Sequence, residues 1–228
     1  MEEKGFYNML KVVIFDSGYG GELFADQLEA ELPVLDVIRV IDWRNAEKIQ
    51  SSPRDARTFA KRALAPYIGR VDLIIFANYL LSVTSLKHFK RKYKNQRFLG
   101  LALKHPDSFV KRETLVLTTK PVARTLGFQN FLIRTGRKTK TITLDSWTAK
   151  IDDGELTPEE IHSTLTLFSD KKSKSKEIVL ACAQFNDIKN DLRNLFGKNL
   201  KIYDGFSDAI ISTSKLLKIR GGSPKKKR

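Results

Sequence analysis

Apolar positions along this chain follow two alternating rhythms. Short unbroken apolar runs predict buried strands at Lys11–Phe15, Val37–Ile41, Val71–Phe76 and Phe98–Leu103. Between them apolar residues return every three or four positions. Leu23, Phe24, Leu28 and Leu32 fall on one side of Glu22–Leu32, and Asp55–Gly69 and Ser82–Tyr93 read as further helices. This strand–helix alternation implies a mostly parallel sheet with helices on its faces.

The second half repeats the theme. Strands are expected at Thr114–Thr118, Asn130–Arg134, Lys140–Leu144, Glu177–Ala181 and Lys201–Tyr203, and helices at Lys120–Leu126, Thr157–Phe168, Asp187–Leu195 and Ser207–Leu217. Thr157 suits an N-cap, with Pro158 in the first helical position and Glu160 three residues after the cap. The expected fold class is α/β: two pseudo-symmetric Rossmann-like halves with parallel sheets and a ligand cleft between them. The expected division is 1–103 plus about 205–220, then 104–204, with the joint near Leu103–Asp107 and a flexible basic tail at 221–228.

Composition narrows this picture. The chain has 228 residues, 41% of them hydrophobic, enough to fill proper cores. Its longest apolar runs are strand-sized, far short of the ~18 residues of a membrane span, so no membrane partner is expected. Met1-Glu2-Glu3-Lys4 carries no signal-peptide pattern. The single cysteine, Cys182, excludes an internal disulfide and a thiolate metal cluster and fits a reducing, cytoplasmic location. His88, His105 and His162 lack metal-ligand spacing and read as surface or loop residues, so no metal is expected. Trp43 and Trp147 read as packing anchors, with Trp43 also placed to line a pocket.

Charge is the unusual quantity: 41 Lys+Arg against 26 Asp+Glu, net +15. Clusters fall at Lys87–Arg97, Arg134–Lys140, Lys171–Lys176 and Lys225–Arg228. They raise nucleic acid as a partner, against the alternative of a solvated basic surface, and no zinc finger or RNP-type motif accompanies them.

Candidate chemistry begins at VVIFDSGYGG, residues 12–21. A strand ending on Asp16-Ser17-Gly18, followed by Gly20-Gly21 and a helix, gathers backbone N–H groups where an anion is favoured and where parallel sheets bind ligands. The alternative is a tight turn that needs glycine for steric reasons alone. VDLIIFANYLLS (71–82) and EIVLACAQFNDI (177–188) likewise end in polar corners, the second carrying the only thiol.

Taken in order, FDSGYGG, VDLIIFANYLLS, LVLTTKPV and IVLACAQFNDIK resemble the motifs of glutamate racemases, in the wider aspartate/glutamate racemase superfamily, from about Lys11 to Leu217. That resemblance implies a cofactor-independent isomerase supplying a peptidoglycan precursor, with a small amino or dicarboxylic acid as ligand and often a homodimer. Family members place two cysteines on opposite faces of the substrate α-carbon. Carried over, Asp16 would support the first cysteine, Ser17 and Thr119 would bind substrate, Cys182 matches the second cysteine, with Ala183 and Gln184 following it into the site, and Asp152 would support it.

The departures are as informative. Without a gap, Asn78 stands where the first cysteine belongs and Tyr79 where the family has a substrate-binding asparagine. With a one-residue shift, Ala77 takes the cysteine position and Asn78 keeps the asparagine. Neither alignment supplies a thiol. Gln184 replaces the family's histidine, and Glu47-Lys48-Ile49 replaces its Pro-Tyr-Gly loop, with Asp42 matching the aspartate of that region.

Three expectations follow. The first is a racemase-like protein that binds a small amino or dicarboxylic acid, with two-cysteine racemisation lost or strongly impaired unless Tyr79, or a water near Asp16, acts as a second acid/base. The second is a one-cysteine decarboxylase or isomerase that uses Cys182 as proton donor, with Ser17, Asn78, Ser82 and Thr119 as its oxyanion set. The third is a binding or regulatory module for an acidic partner or nucleic acid.

Overall fold

The computed structural model describes residues 9–101, 114–135, 139–166 and 177–219. Four parallel strands, β1 (Leu10–Asp16), β2 (Leu35–Ile41), β3 (Leu73–Phe76) and β4 (Phe98–Gly100), form one sheet in the order β2-β1-β3-β4. Four more, β5 (Thr114–Thr118), β6 (Thr139–Thr143), β7 (Glu177–Leu180) and β8 (Lys201–Tyr203), form a second in the equivalent order β6-β5-β7-β8. This is the expected α/β architecture, duplicated.

The duplication extends to register. Phe15 pairs with Phe76, and the next amide, Ala77 N, donates to the Phe15 carbonyl at 2.9 Å. In the second sheet Leu117 pairs with Leu180, and Ala181 N donates to the Leu117 carbonyl at 2.8 Å. Ala77 is therefore the counterpart of Ala181, and Asn78 the counterpart of Cys182.

Helices α1 (Tyr19–Glu31), α2 (Ala46–Ser51), α3 (Pro53–Leu64), α4 (Tyr79–Thr84) and α5 (Leu86–Lys92) accompany the first sheet. Helices α6 (Lys120–Ala123), α7 (Leu126–Thr135), α8 (Asp145–Asp152), α9 (Pro158–Thr166) and α10 (Lys189–Phe196) follow in the second half. Val12, Val13, Ile14 and Phe15 are wholly buried, which explains an unbroken rather than alternating apolar run in β1. Phe76 meets Phe89 edge-on at 4.9 Å between ring centres. The last helix, α11 (Phe206–Leu216), packs on this first core, with Phe206 5.0 Å from Phe24. The second core gathers around Trp147 and Phe185.

Several expected elements change. Asn130–Arg134 is not a strand but the second half of α7. Phe128 and Phe131 turn inward three residues apart, a helical spacing that a five-residue window hides. The helix expected over Ser82–Tyr93 is two helices, separated at Ser85. The helix expected over Asp55–Gly69 starts at Pro53, where the Ser52 hydroxyl accepts from Asp55 N, and ends at Leu64, just short of Pro66. Helices α2 and α8 were not expected. Trp147 is the buried anchor foreseen, but Trp43 is 46% exposed and packs little. His88 is half-buried on α5 and His162 is exposed on α9. His105, the joint near Leu103–Asp107, the Lys171–Lys176 cluster and the 221–228 tail lie outside the described residues.

The halves meet at the start of α1, where three glycines give way to protein rather than to open space. A Cβ at Gly20 would lie 2.5 Å from Ala183 Cβ and 2.6 Å from Gln184 N, and one at Gly18 would lie 2.8 Å from Gln184 Nε2. None of these glycines has positive φ; close approach is what they provide. We expect Gly20→Ala to destabilise the chain by about 1–3 kcal/mol by prying the halves apart, measured as a lower urea midpoint.

Candidate functional site

A cavity of about 160 Å³ opens at the carboxyl ends of both sheets. Of the residues singled out in the sequence, Asp16, Asn78, Tyr79, Thr119, Cys182, Ala183 and Gln184 line it. Ser17 and Asp152 do not. Ser17 is wholly buried behind the wall, its Oγ 3.5 Å from Asn78 Nδ2. Ser82 is also absent from the lining; its hydroxyl bonds to the carbonyls of Phe76 and Asn78. The expected oxyanion set is thus reduced to Thr119 and an amide already in use.

Asp16 closes β1 and is almost fully buried. Its Oδ1 accepts from Ser17 N at 2.7 Å and from Asn78 Nδ2 at 3.0 Å, whereas its buried Oδ2 has no hydrogen-bond partner. Burial pushes this carboxyl up to about 7, against the opposing pull of the Asn78 and Ser17 hydrogen bonds. Asn78 caps α4: its Oδ1 accepts from Leu81 N at 3.0 Å. Both ends of the Asn78 amide are therefore committed to the protein.

Across the cavity, Cys182 follows β7. Its Sγ donates to Gln184 Oε1 at 3.0 Å, and burial pushes the thiol far up, so it stays neutral. Gln184 Nε2 reaches Asp152 Oδ2 at 3.5 Å, and Asp152 Oδ1 accepts from Tyr19 N at 2.9 Å. The anion expected at the start of α1 is therefore supplied internally, by the carboxyl of Asp152. The glycine-rich turn receives the other half of the protein, which is the steric alternative noted from the sequence.

Tyr79 lines the cavity, but its hydroxyl donates to the Asp204 carbonyl. Burial, reinforced by nearby acids, raises it well above the usual phenol range, so it holds its proton. The Asp204 carboxylate accepts from Phe206 N at 2.9 Å and pairs with Lys189. Asp42 and Trp43 do not line the cavity, and Asp42 instead accepts from Asn45 Nδ2 at 2.8 Å.

Sequence reasoning missed Gln50, Ser51, Asp145 and Thr148, which also line the cavity. Gln50 and Ser51 arrive on α2, from the stretch that departs from the Pro-Tyr-Gly loop. Asp145 accepts from Lys120 N at 3.0 Å. It stands just beyond β6 as Asp16 stands at the end of β1, so the strand-then-carboxylate pattern of Thr143-Leu144-Asp145 was the available signal. Among the described residues no Lys or Arg lines the cavity, and no group of three His, Cys, Asp or Glu could hold a metal. No helix among them is long and apolar enough to cross a membrane.

No family model matches the chain. The glutamate racemase of Clostridium perfringens (strain 13 / Type A) is 24% identical over 207 residues, covering 86% of this chain and 78% of that protein. The Escherichia coli glutamate racemase, solved with L-glutamate and the activator UDP-MurNAc-ala, superposes with a TM-score of 0.78 at 17% identity, over 95% of this chain and 84% of that one. Picrophilus torridus aspartate racemase superposes with a TM-score of 0.60 at 14% identity, over 90% and 93%. The chain is thus similar in sequence to glutamate racemases and shares the fold of solved glutamate and aspartate racemases. The internal symmetry of this duplicated fold equates Asn78 with Cys182.

A neutral thiol is a poor nucleophile. We expect iodoacetamide to modify Cys182 in the folded protein at pH 8 about a hundredfold or more slowly than free cysteine. Unfolding in guanidinium should restore the ordinary rate, read by mass spectrometry.

Proposed function

We propose that the cleft binds a small amino or dicarboxylic acid and that two-thiol racemisation is lost or strongly impaired. The observation that carries this reading is the symmetric pair at the strand ends: Cys182 on one side, and on the other an Asn78 amide committed to Asp16 and Leu81.

Inversion at an α-carbon needs a base on one face and an acid on the other. An amide is neither at physiological pH. Cys182, held neutral by burial, can act as an acid but not as a ready base. Among the described residues lining the first half, Asp16 is the group whose ionisation falls near neutral pH. As a carboxylate it would attract a ligand ammonium; Thr119 offers a hydroxyl to a ligand carboxylate, whereas the hydroxyls of Thr148 and Ser51 donate to the carbonyls of Asp145 and Lys48. The Escherichia coli neighbour, solved with L-glutamate, supports an amino-acid ligand of this size.

A second reading rests on the same neutral thiol. In a one-face decarboxylation the carbon–carboxylate bond breaks, carbon dioxide leaves, and the electron pair left on carbon takes the Cys182 proton. The resulting thiolate then recovers a proton from water. This reading must rely on Thr119 for stabilisation, because Ser17 and Ser82 are absent from the cavity wall and the Thr148 hydroxyl donates to the Asp145 carbonyl.

The test is proton NMR of D- or L-glutamate with the protein in deuterium oxide, using saturation transfer for binding and the α-proton signal for exchange, with Cys182→Ala as control. We expect binding without inversion. Inversion that disappears in Cys182→Ala would overturn the proposal, as would the absence of any binding by glutamate or aspartate. Carbon dioxide release from a substituted malonate, lost in the same variant, would select the second reading.

A further inference from the structure

Away from the cavity, α3 and the α4–α5 turn are tied together beneath one basic face. Arg57 of α3 donates its Nε to Ser85 Oγ at 3.2 Å and an Nη to the Thr84 carbonyl at 3.4 Å. Ala56, Ala60 and Leu64 bury one side of α3, leaving Arg54 exposed and Arg57 and Lys61 part-exposed on the other. Phe89 anchors α5, with Lys87, Arg91 and Lys92 outside. His88 sits between these groups: after burial, the charges of Lys61, Arg57, Lys92 and Arg91 all disfavour its protonation. The helices therefore present one continuous field rather than two separate clusters.

Acidic partners are scarce on this face among the described residues. Residues 53–64 and 86–97 together carry ten Lys+Arg and a single acid, Asp55. Among the described residues none of these cations forms an ion pair, whereas Arg39 pairs with Glu22, Asp26 and Glu29 at once. A cationic face bound to a bilayer normally inserts apolar side chains as well. None of the large exposed hydrophobic residues lies on α3 or α5. The face is charged and dry of apolar anchors, which suits a phosphodiester backbone. The twelve residues of α3 extend about 18 Å, the length of about five phosphates along one strand of a duplex.

We propose that the α3–α5 face binds nucleic acid through its phosphate backbone, without reading base sequence. Binding proceeds by release of condensed counterions and so weakens steeply with salt. The net charge of +15 adds long-range attraction. This surface is separate from the cleft, and its occupancy does not depend on the cleft's chemistry.

The test is fluorescence anisotropy of a labelled short duplex and a single strand of arbitrary sequence, with the full chain, from about 50 to 200 mM salt. The variant Arg54→Ser/Lys87→Ser/Arg91→Ser removes three cations of the face and leaves Arg57 and its hydrogen bonds in place. Arg193→Ser/Lys198→Ser/Lys201→Ser removes the same charge from the second half. We expect the first variant to bind at least about tenfold more weakly, with a log–log salt slope shallower by about 3, and the second to bind almost as the parent does. Equal weakening in both variants would overturn the proposal, since bulk charge would then suffice. So would absence of binding to either nucleic acid, or binding to phosphatidylserine vesicles in its place.

Discussion

A carboxyl group held out of water at the end of β1 is the constraint around which the cleft is arranged. Asp16 lies where the strand delivers it, with one oxygen on Ser17 N and Asn78 and the other unpartnered. Stripping a carboxylate of water is expensive, and the group responds by keeping its proton to about neutral pH. The surroundings follow from that position. A side chain on Gly21 would collide with Asp16 Cβ at 2.5 Å, so the first turn of α1 is glycine. Asn78 is tied down at both ends because it must bridge Asp16 and the start of α4.

The duplicated framework lets each side of the cleft be read against the other. Matching strands end in matching corners, yet one corner carries Cys182 and the other Asn78. On the second side the thiol, Gln184 and Asp152 form a chain that ends on the backbone of α1 in the first half. Gln184 passes a hydrogen bond along this chain but cannot pass a proton as an imidazole would. The same contacts close the interface between the halves, so the thiol's hydrogen bonding and the packing of Gly18 and Gly20 are one arrangement.

Much of this was legible in the sequence because buried parallel strands write themselves as unbroken apolar runs. Val12–Phe15, Leu73–Phe76 and Ile178–Leu180 are such runs, and the polar residue after each lies at the cavity. What was not legible came from distance along the chain. Asp152 completes the start of α1 from 133 residues away, and no local pattern announces that contact. Gln50 and Ser51 reach the cavity on a six-residue helix, too short to display a period. Ser17 and Ser82 looked available as hydroxyls, but tertiary packing turned both inward. Asn130–Arg134 failed for the reason short apolar runs usually fail: period two and period 3.6 cannot be separated over five residues.

The most direct measurement is a carbon-13 NMR titration of the Asp16 carboxyl, assigned by comparison with Asp16→Asn. The account predicts a midpoint near 7 in the parent, moving higher in Asn78→Ala, because the amide favours the ionised form and its loss leaves desolvation less opposed. A midpoint near 4, the value of an ordinary aspartate, or one unmoved by Asn78→Ala, would contradict it.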